Sequence, residues 1–454
     1  MRPKLHKSIL PILLSFISII LLLITLPSRA TDFRIGIGRK AITPQFPIWL
    51  NGYAARTQAS EAASHDLWAK ALVIEDSQAN RVIIATVDVL GLSREITEEV
   101  TSRVIQKYGI NRSQLLLNSS HTHGAPVIWP ILGGMFNFSP AELEAVVRYT
   151  QQLPKEIEAV IDMAMSSLVP MEIGYGHGSA GFGLNRRGTA VNPSDPDVPV
   201  VRFTTPDGKT AAILCGYACH NTTLTGANIL VNGDYSGYAM IELEKMYPGA
   251  TALFLMGCGA DQDPEPRGTI GLAEQNGKTL AEAVRKALSG NMLTVRPPIR
   301  TAFTAVDLEF PPFNLEKYQK DILSDDKYVR NRAQLMLDAY NRWWTVDRFP
   351  YQVQAVRFNK DLTILGMGGE VVVDYPLKLK KDYPAENLFV AGYCSEVTCY
   401  IPSHRIQEEG GYEADDSMIY YGLPGPFAAN VEDLVLGAIQ QVMKGVGARP
   451  ARSK

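Results

Sequence analysis

Short apolar runs that alternate with helical segments limit the fold of this chain more than any other feature. The runs are rich in apolar and β-branched residues and are bounded by polar turns, as in strands that are buried on both faces. They predict strands at residues 71–75, 82–88, 115–117, 211–219, 251–256, 362–367 and 388–391. The sequence therefore predicts an α/β fold with a mixed β-sheet core flanked by helices.

Capping residues mark several helix boundaries. Apolar residues at helical spacing predict helices over residues 93–108 and 272–288. Ser139-Pro140-Ala141-Glu142 is a capping box with proline at the first helical position, so a helix begins there. Pro154 is predicted to begin another helix, and residues 314–347 are predicted to form one long, charged helix. Prolines within residues 296–302 and 311–313, which precede that helix, indicate an excursion from the fold around it and no clean domain boundary.

The first thirty residues have the pattern of an export leader. Arg2, Lys4 and Lys7 precede an uncharged run over residues 9–26, and Ala30 ends a plausible cleavage site. The alternative is an uncleaved anchor, because the run is just long enough to span a bilayer. In either case residues 31–454 are predicted to form one exported domain that is periplasmic, secreted or anchored by the N-terminal segment.

Charge and cysteine content exclude two classes of protein. Lys and Arg number 44 against 47 Asp and Glu, a net charge of −3, whereas a nucleic-acid-binding protein normally has a strong basic excess. Five cysteines are too few for a disulfide scaffold in a chain of 454 residues. Cys394 and Cys399 are close enough in sequence to pair in an oxidising compartment. The oligomeric state is open.

Two histidines directly follow the predicted strand at residues 115–117. His121 and His123 lie in Asn118-Ser119-Ser120-His121-Thr122-His123-Gly124-Ala125-Pro126. Residues i and i+2 of extended backbone point the same way, so both rings can face one site. Neutral imidazole is a common zinc ligand, which favours a metal or catalytic site. The alternative is a pair of surface histidines in a turn.

Further polar residues follow other predicted strands. His220 repeats the placement of His121, although a lone histidine is more often structural, and Asp234 is a candidate for orienting such a ring. Asp261 and Asp263 could serve a metal or an acid–base step, or could simply cap a polar turn. Glu370 follows two glycines at a strand end, which is a typical position for a ligand.

Together these segments resemble the neutral/alkaline non-lysosomal ceramidase family. The segment from His121 to Pro126 is similar to the His-Thr-His-Ser-Gly-Pro sequence of that family. Residues 36–44, Gly52-Tyr53-Ala54, Gly369-Glu370 and the pair formed by Tyr400 and Tyr412-Glu413 also match in order. The resemblance covers about residues 34–435. It implies a single large catalytic domain without the family's C-terminal immunoglobulin-like domain.

The resemblance implies a zinc amidohydrolase that cleaves the N-acyl bond of ceramide to sphingosine and a fatty acid. A lipid amide substrate and membrane-surface association are then expected. The implied zinc ligands are His121, His220, Glu370 and Tyr400. The implied catalytic groups are His123 beside the metal, Tyr412 at the reacting carbonyl oxygen and Arg186 lining the site.

One position departs from the family pattern. Asp263 in Asp261-Gln262-Asp263-Pro264 stands where the family has a serine next to the scissile amide. This change leaves two alternatives open, namely the same zinc scaffold with another amide or ester substrate, and a zinc-containing binding protein without turnover. The apolar residues 127–132 could line an acyl-chain cleft or form a buried core loop.

Overall fold

Two central sheets organise the computed structural model, which describes residues 31–189 and 192–451. The predicted leader at residues 1–30 lies outside the described residues. In the larger, nine-stranded sheet the strand order is β11-β9-β8-β6-β1-β3-β4-β5, and β13 pairs with β6. Its strands are β1 (Phe33–Ala41), β3 (Trp68–Asp76), β4 (Arg81–Val87), β5 (Leu115–Ser119), β6 (Val169–Ser179), β8 (Asp197–Thr204), β9 (Thr210–Tyr217), β11 (Thr251–Met256) and β13 (Leu293–Thr294).

The smaller sheet has the order β14-β15-β16-β18. Its strands are β14 (Ile299–Glu309), β15 (Arg348–Phe358), β16 (Leu362–Met367) and β18 (Leu388–Ala391). Both sheets contain antiparallel and parallel pairs, for example β3 with β4 and β9 with β11. The predicted mixed sheet is therefore confirmed. Three two-stranded pairs lie outside these sheets, formed by β2 (Ala62–Ala63) with β10 (Leu230–Val231), β7 (Gly183–Asn185) with β12 (Gln262–Pro264), and β17 (Glu370–Val371) with β19 (Tyr400–Ile401).

Helices cover the outer faces of the two sheets. The α-helices of the described residues are α1 (Arg94–Tyr108), α2 (Pro140–Ser166), α3 (Asp234–Met246), α4 (Ile270–Ser289), α5 (Leu315–Asp321), α6 (Lys327–Asn341), α7 (Asp374–Asp382), α8 (His404–Glu409), α9 (Met418–Tyr421) and α10 (Val431–Gly445). An apolar cluster that includes Leu214 and Phe389 fills the space between the sheets. The helices from α1 to α4 pack on the larger sheet, and α7 and α10 pack on the smaller one. Burial on both faces explains the continuous apolar runs of the sequence.

The predicted helix boundary at Pro154 is wrong. Ser139 caps α2 as predicted, but the helix continues through Pro154 to Ser166. A proline removes one backbone donor and disfavours the helix interior. Here Leu153, Pro154 and Ile157 are buried in the core, and this tertiary packing keeps the two halves in one helix.

The predicted single helix over residues 314–347 is also wrong. The segment forms α5 and α6, because the side chain of Asp326 accepts hydrogen bonds from the backbone N–H groups of Tyr328 and Val329 and starts a new helix. In the sequence, both helices come between β14 and β15. These two strands pair with each other along their whole length. The predicted excursion is therefore an insertion between two neighbouring strands of the smaller sheet.

All five cysteines are free and buried, so the pairing considered for Cys394 and Cys399 does not occur. The Sγ atom of Cys394 lies 3.3 Å from the carbonyl oxygen of Gly392 inside the core. Among the described residues, every helix is too short or too polar to cross a bilayer.

Strand ends from both sheets meet at one edge of the core. Asn118, at the end of β5, accepts a hydrogen bond from the backbone N–H of Met256 at the end of β11, and donates to the carbonyl oxygen of Gly392 after β18. An isolated bridge also joins Gly257 to Ala391. This edge brings together the loops that carry the polar residues singled out in the sequence.

Candidate metal centre

His121 is held in a strained backbone conformation two residues after β5. Its φ of 59° is unusual for a residue with a side chain, and such strain is concentrated at functional sites. Its backbone N–H donates to the carbonyl oxygen of Val89 at 3.0 Å. Its Nδ1 donates to the carbonyl oxygen of Leu90 at 2.7 Å, and a carbonyl can only accept. The neutral ring therefore carries its proton on Nδ1 and presents the lone pair of Nε2.

His220 is fixed in the same way three residues after β9. Its backbone N–H donates to the carbonyl oxygen of Gln262 at 2.8 Å, and its Nδ1 donates to that of Gly259 at 2.7 Å. The lone pair on Nε2 again faces the interior. Backbone carbonyls that fix the tautomer in this manner are the usual partners of metal-binding histidines.

Glu370 completes the centre from the segment that follows β16 of the smaller sheet. It lies on β17, and the preceding Gly369 has a φ of 71°, where a Cβ would approach the carbonyl oxygen of Cys399 to 2.9 Å. Only glycine fits this turn easily. The Glu370 Oε2 atom lies 3.2 Å from His121 Nε2 and 3.1 Å from His220 Nε2.

These three atoms repel one another unless a cation lies among them. Burial lowers the pKa of His121, so its imidazole is neutral at pH 7. Burial alone would raise the pKa of Glu370, and positive charge or a donated proton at His121 and His220 is what lowers it well below its usual value. With neutral rings, a bound cation would have to supply that charge for the carboxylate to be ionised. Two lone pairs and a carboxylate oxygen are thus directed at one buried point. This donor set fits a divalent metal ion.

His123 lies beside the same point. The Nε2 atom of His123 is 3.3 Å from that of His121. One ring nitrogen from each of His121, His123 and His220 lies within 4.8 Å of the other two. These histidines could hold a metal ion. The His123 ring packs on Tyr53 with centroids 4.8 Å apart, and its close approach to Gly52 leaves no room for a Cβ there. The buried Nδ1 has no hydrogen-bond partner.

Tyr400 extends the centre on the side of His220. It lies on β19, which pairs in parallel with the strand that carries Glu370. Its hydroxyl oxygen lies 3.4 Å from His220 Nε2, and the two rings are stacked with an interplanar angle of 12°. The structure therefore brings together the predicted ligand residues, and their role as ligands stays a prediction.

Arg186 connects the centre to the wall of the cavity. Its Nη2 donates to the Tyr400 hydroxyl at 3.2 Å, and its Nε donates to Glu413 Oε1 at 2.8 Å. Its Nη1 lies 3.3 Å from Asp263 Oδ1. The guanidinium carbon also lies 5.4 Å from the ring centroid of Tyr412. Arg186 thus orders both tyrosines that were predicted to act in the site.

Asp263 is an ionised group that lines the cavity. It is held by Arg186 and by Arg267, whose Nη1 lies 2.6 Å from Asp263 Oδ2. Burial alone would raise the pKa of the Asp263 carboxyl, but the two arginines and His220 lower it. The ion pairs show that Asp263 does more than cap the turn before Pro264. They also show that its charge is balanced by protein groups.

Asp261 does not share the cavity with Asp263. Its Oδ1 accepts from the backbone N–H of Val373 at 2.8 Å, and its Oδ2 accepts from Asn185 Nδ2 at 2.8 Å. Burial raises its pKa to about 6. Residues two apart share a face only within one strand. Asp261 precedes β12 whereas Asp263 lies on it, so their two carboxylates do not face the same side. Asp261 ties neighbouring segments together instead.

Asp234 does not orient a histidine ring as expected. Its carboxylate accepts hydrogen bonds from the backbone N–H groups of Thr223 and Leu224, at 3.1 and 2.8 Å. These bonds fix the loop that follows His220. Asp234 therefore acts on the histidine only through the backbone.

A cavity of about 710 Å³ opens beside the centre. Most of its lining is polar and its charges are mixed. The lining includes Tyr53, His123, Arg186, Arg187, His220, Asp263, Arg267, Tyr400, Glu409, Tyr412 and Glu413. A polar substrate region can therefore contact the candidate catalytic groups from solvent.

The apolar residues 127–132 divide between the two predicted roles. Val127 and Ile128 are fully buried in the core, as in a core loop. Ile131 and Leu132 line a second, more apolar cavity of about 440 Å³. Neither lines the cavity that contains His123.

Two tyrosines near the centre were missed by the sequence analysis. The hydroxyl of Tyr421 donates to Glu370 Oε1, and the hydroxyl of Tyr393 lies 3.4 Å from Glu370 Oε2. The Tyr393 ring also lies 4.4 Å from the His121 ring. Tyr393 lies in the loop after β18 and Tyr421 ends the four-residue helix α9, and spacing within such short segments carries no signal of a shared site.

Sequence comparison identifies the family of the chain. Residues 33–262, just over half of the chain, match the family described as neutral/alkaline non-lysosomal ceramidase, N-terminal. This chain belongs to that family. The predicted resemblance to the neutral/alkaline ceramidases is confirmed.

Individual neutral ceramidases are distant relatives. The protein of Pseudomonas aeruginosa is 26% identical over 249 residues, which cover 50% of this chain and 36% of the relative. The protein of Drosophila melanogaster is 24% identical over 233 residues, which cover 48% and 33%. The matched segment thus spans about a third of the length of these ceramidases.

A solved ceramidase shares the fold over most of this chain. The crystal structure of neutral ceramidase from Pseudomonas aeruginosa superposes with a TM-score of 0.70 at 17% identity, covering 91% of this chain and 75% of that one. The likeness therefore includes the smaller sheet, which lies beyond the residues of the family match.

Replacing Asp263 by Asn should lower the thermal unfolding temperature by a few degrees at pH 7, because Asn cannot balance Arg186 and Arg267. The lowered pKa of Asp263 means that its stabilising effect is complete above the pKa of an unfolded Asp, about 3.9. It is lost as the pH falls through the lower pKa of the folded state. The difference between wild type and variant should therefore shrink below about pH 4.

Thermal scans from pH 3 to 8 measure this difference. Asp325→Asn, at an exposed position, is the control and should change little at any pH. A difference for Asp263→Asn that is constant across the range would contradict the ion-pair account.

Proposed function

We propose that this protein is a zinc-dependent amidohydrolase that cleaves the N-acyl amide bond of ceramide-like lipids. The observation that carries the proposal is the convergence of His121 Nε2, His220 Nε2 and Glu370 Oε2 beside an open cavity. Membership of the neutral/alkaline ceramidase family supports the choice of substrate.

Zinc suits the donor set. Two imidazole nitrogens, one carboxylate oxygen and the hydroxyl of Tyr400 are all ligand types that zinc accepts. His121, His220, Glu370 and Tyr400 would hold the ion. When bound, it would polarise the amide carbonyl and make a water molecule nucleophilic at neutral pH.

His123 is placed to move the proton. Burial lowers its pKa well below the usual value, so the ring is neutral and can accept a proton from the attacking water. The same ring can then return the proton to the leaving amine. Its Nε2 faces the centre at 3.3 Å from His121 Nε2, and its other face packs on Tyr53.

Tyr412 and Arg186 supply positive potential where charge develops. Partial burial and the nearby charge of Glu370 raise the pKa of Tyr412, so its hydroxyl keeps its proton and can donate to the carbonyl oxygen as negative charge forms there. Tyr412 is 41% exposed and lines the cavity, so substrate can reach it. Arg186 lies against its ring and fixes its position.

A second candidate is an amide or ester with a more polar head group. Asp263 favours it, because an ionised carboxylate accepts hydrogen bonds and repels an oxyanion, whereas the family serine could donate. The mixed charges along the cavity are consistent with such a substrate.

His121→Ala or Glu370→Ala should lose bound zinc and hydrolysis together, because each removes a converging ligand. Elemental analysis measures the zinc, and mass spectrometry of products from a ceramide and a panel of N-acyl amides and esters measures the activity. His177→Ala is the control, since that histidine lies on the surface paired with Asp197. It should keep both properties.

The outcomes separate the alternatives. Release of fatty acid and sphingosine from ceramide supports the ceramidase proposal. Stoichiometric zinc without hydrolysis of any panel member would indicate a binding protein. Retention of stoichiometric zinc by either ligand variant would contradict the ligand assignment.

Asp263→Ser should raise ceramide hydrolysis roughly tenfold, the effect of removing about 1.4 kcal/mol of repulsion from the transition state. It would also leave the Nη1 groups of Arg186 and Arg267 without their carboxylate partner. The measurement is kcat/KM for ceramide and for the best substrate of the panel, with Asp325→Ser as control. If the wild type already hydrolyses ceramide efficiently and the serine variant is no better, the second candidate fails.

A further inference from the structure

The two carboxylate oxygens of Glu370 have different surroundings. Oε2 faces His121 Nε2 and His220 Nε2 at 3.2 and 3.1 Å. Oε1 accepts a hydrogen bond from the hydroxyl of Tyr421. The carboxylate is therefore held with one oxygen at the centre and the other engaged by a neutral donor.

Tyr421 is itself firmly placed. It is the last residue of α9, and Gly422 ends that helix in the left-handed region with a φ of 68°. The backbone N–H of Leu423 donates to the carbonyl oxygen of Met418 at 3.1 Å and closes the turn. The ring of Tyr421 forms part of the wall of the 440 Å³ cavity. Its hydroxyl thus reaches Glu370 from a fixed backbone.

We propose that Tyr421 is a positioning residue that fixes Glu370 as a one-oxygen metal ligand. Its hydrogen bond occupies Oε1, while Oε2, which also lies 3.4 Å from the Tyr393 hydroxyl, completes the set formed with His121 and His220. Without that bond, the carboxylate can rotate and present both oxygens, or withdraw from the centre. Groups that hold ligands in this way typically contribute 10–100-fold to metal affinity. The inference rests on the proposed zinc site.

The neighbouring Tyr420 offers a matched control. It lines the same cavity, but its ring packs against Tyr328 and Tyr412, with centroids 4.9 and 6.4 Å apart. Tyr420→Phe and Tyr421→Phe each remove a single hydroxyl oxygen, and the two residues are adjacent in the wall of the same cavity. A general effect on the wall should appear in both variants, whereas an effect through Glu370 should appear only in Tyr421→Phe.

The test compares Tyr421→Phe and Tyr420→Phe in the full chain. Zinc affinity is measured by competition with a chelator, and the visible spectrum of the cobalt-substituted protein reports ligand geometry. Tyr421→Phe should weaken zinc binding by about 10–100-fold and change the cobalt spectrum. Tyr420→Phe should leave both close to the wild type.

A double-variant cycle distinguishes positioning from a structural effect. In a Glu370→Gln background, Tyr421→Phe should cause little further loss of zinc affinity, since the carboxylate on which it acts is gone. An equal loss in both backgrounds would overturn the proposal, as would unchanged affinity and spectrum in the single variant. Absence of zinc binding by the wild type would instead contradict the proposed function.

Discussion

The mutual repulsion of three buried acceptor atoms is the constraint on which the site depends. His121 and His220 each use Nδ1 to donate to a backbone carbonyl, which leaves their Nε2 lone pairs directed at the same oxygen of Glu370. Such an arrangement costs free energy in a folded protein unless a cation compensates it. The strained φ of His121 adds to that cost. The proposed metal binding therefore follows from the convergence of these atoms, which the fold itself creates.

The fold brings these atoms together because strands of both sheets end at one edge of the core. Asn118 binds segments from β5 and β11 and from the loop after β18, so the histidine loops and the smaller sheet share one anchor. Glycine at position 369 lets the chain turn sharply into Glu370. Arg186 then links Tyr400 to Glu413 in the wall of the cavity. Rigid strand ends and short loops thus control the ligand positions.

Much of this arrangement can be read from the sequence, because buried strands and capped helices leave strong local patterns. The strand that precedes His121 is an uninterrupted apolar run, and Ser139 marks the start of α2. The long strand β14 was not predicted from the sequence. One of its faces is partly exposed, so polar residues interrupt the apolar pattern by which buried strands are recognised. The continuation of α2 through Pro154 depends on packing against distant strands, which no local pattern encodes. For the same reason, Tyr421 could be found only once the fold placed it beside Glu370.

X-ray absorption at the zinc edge of the purified protein tests the central claim most directly, because it reports the ligands of the bound ion. The account predicts only nitrogen and oxygen ligands at about 2.0–2.2 Å, with the scattering pattern of two imidazoles. Sulfur ligands at about 2.3 Å would place the metal at the buried cysteines instead and contradict the account. A fully active protein without zinc would contradict it as well.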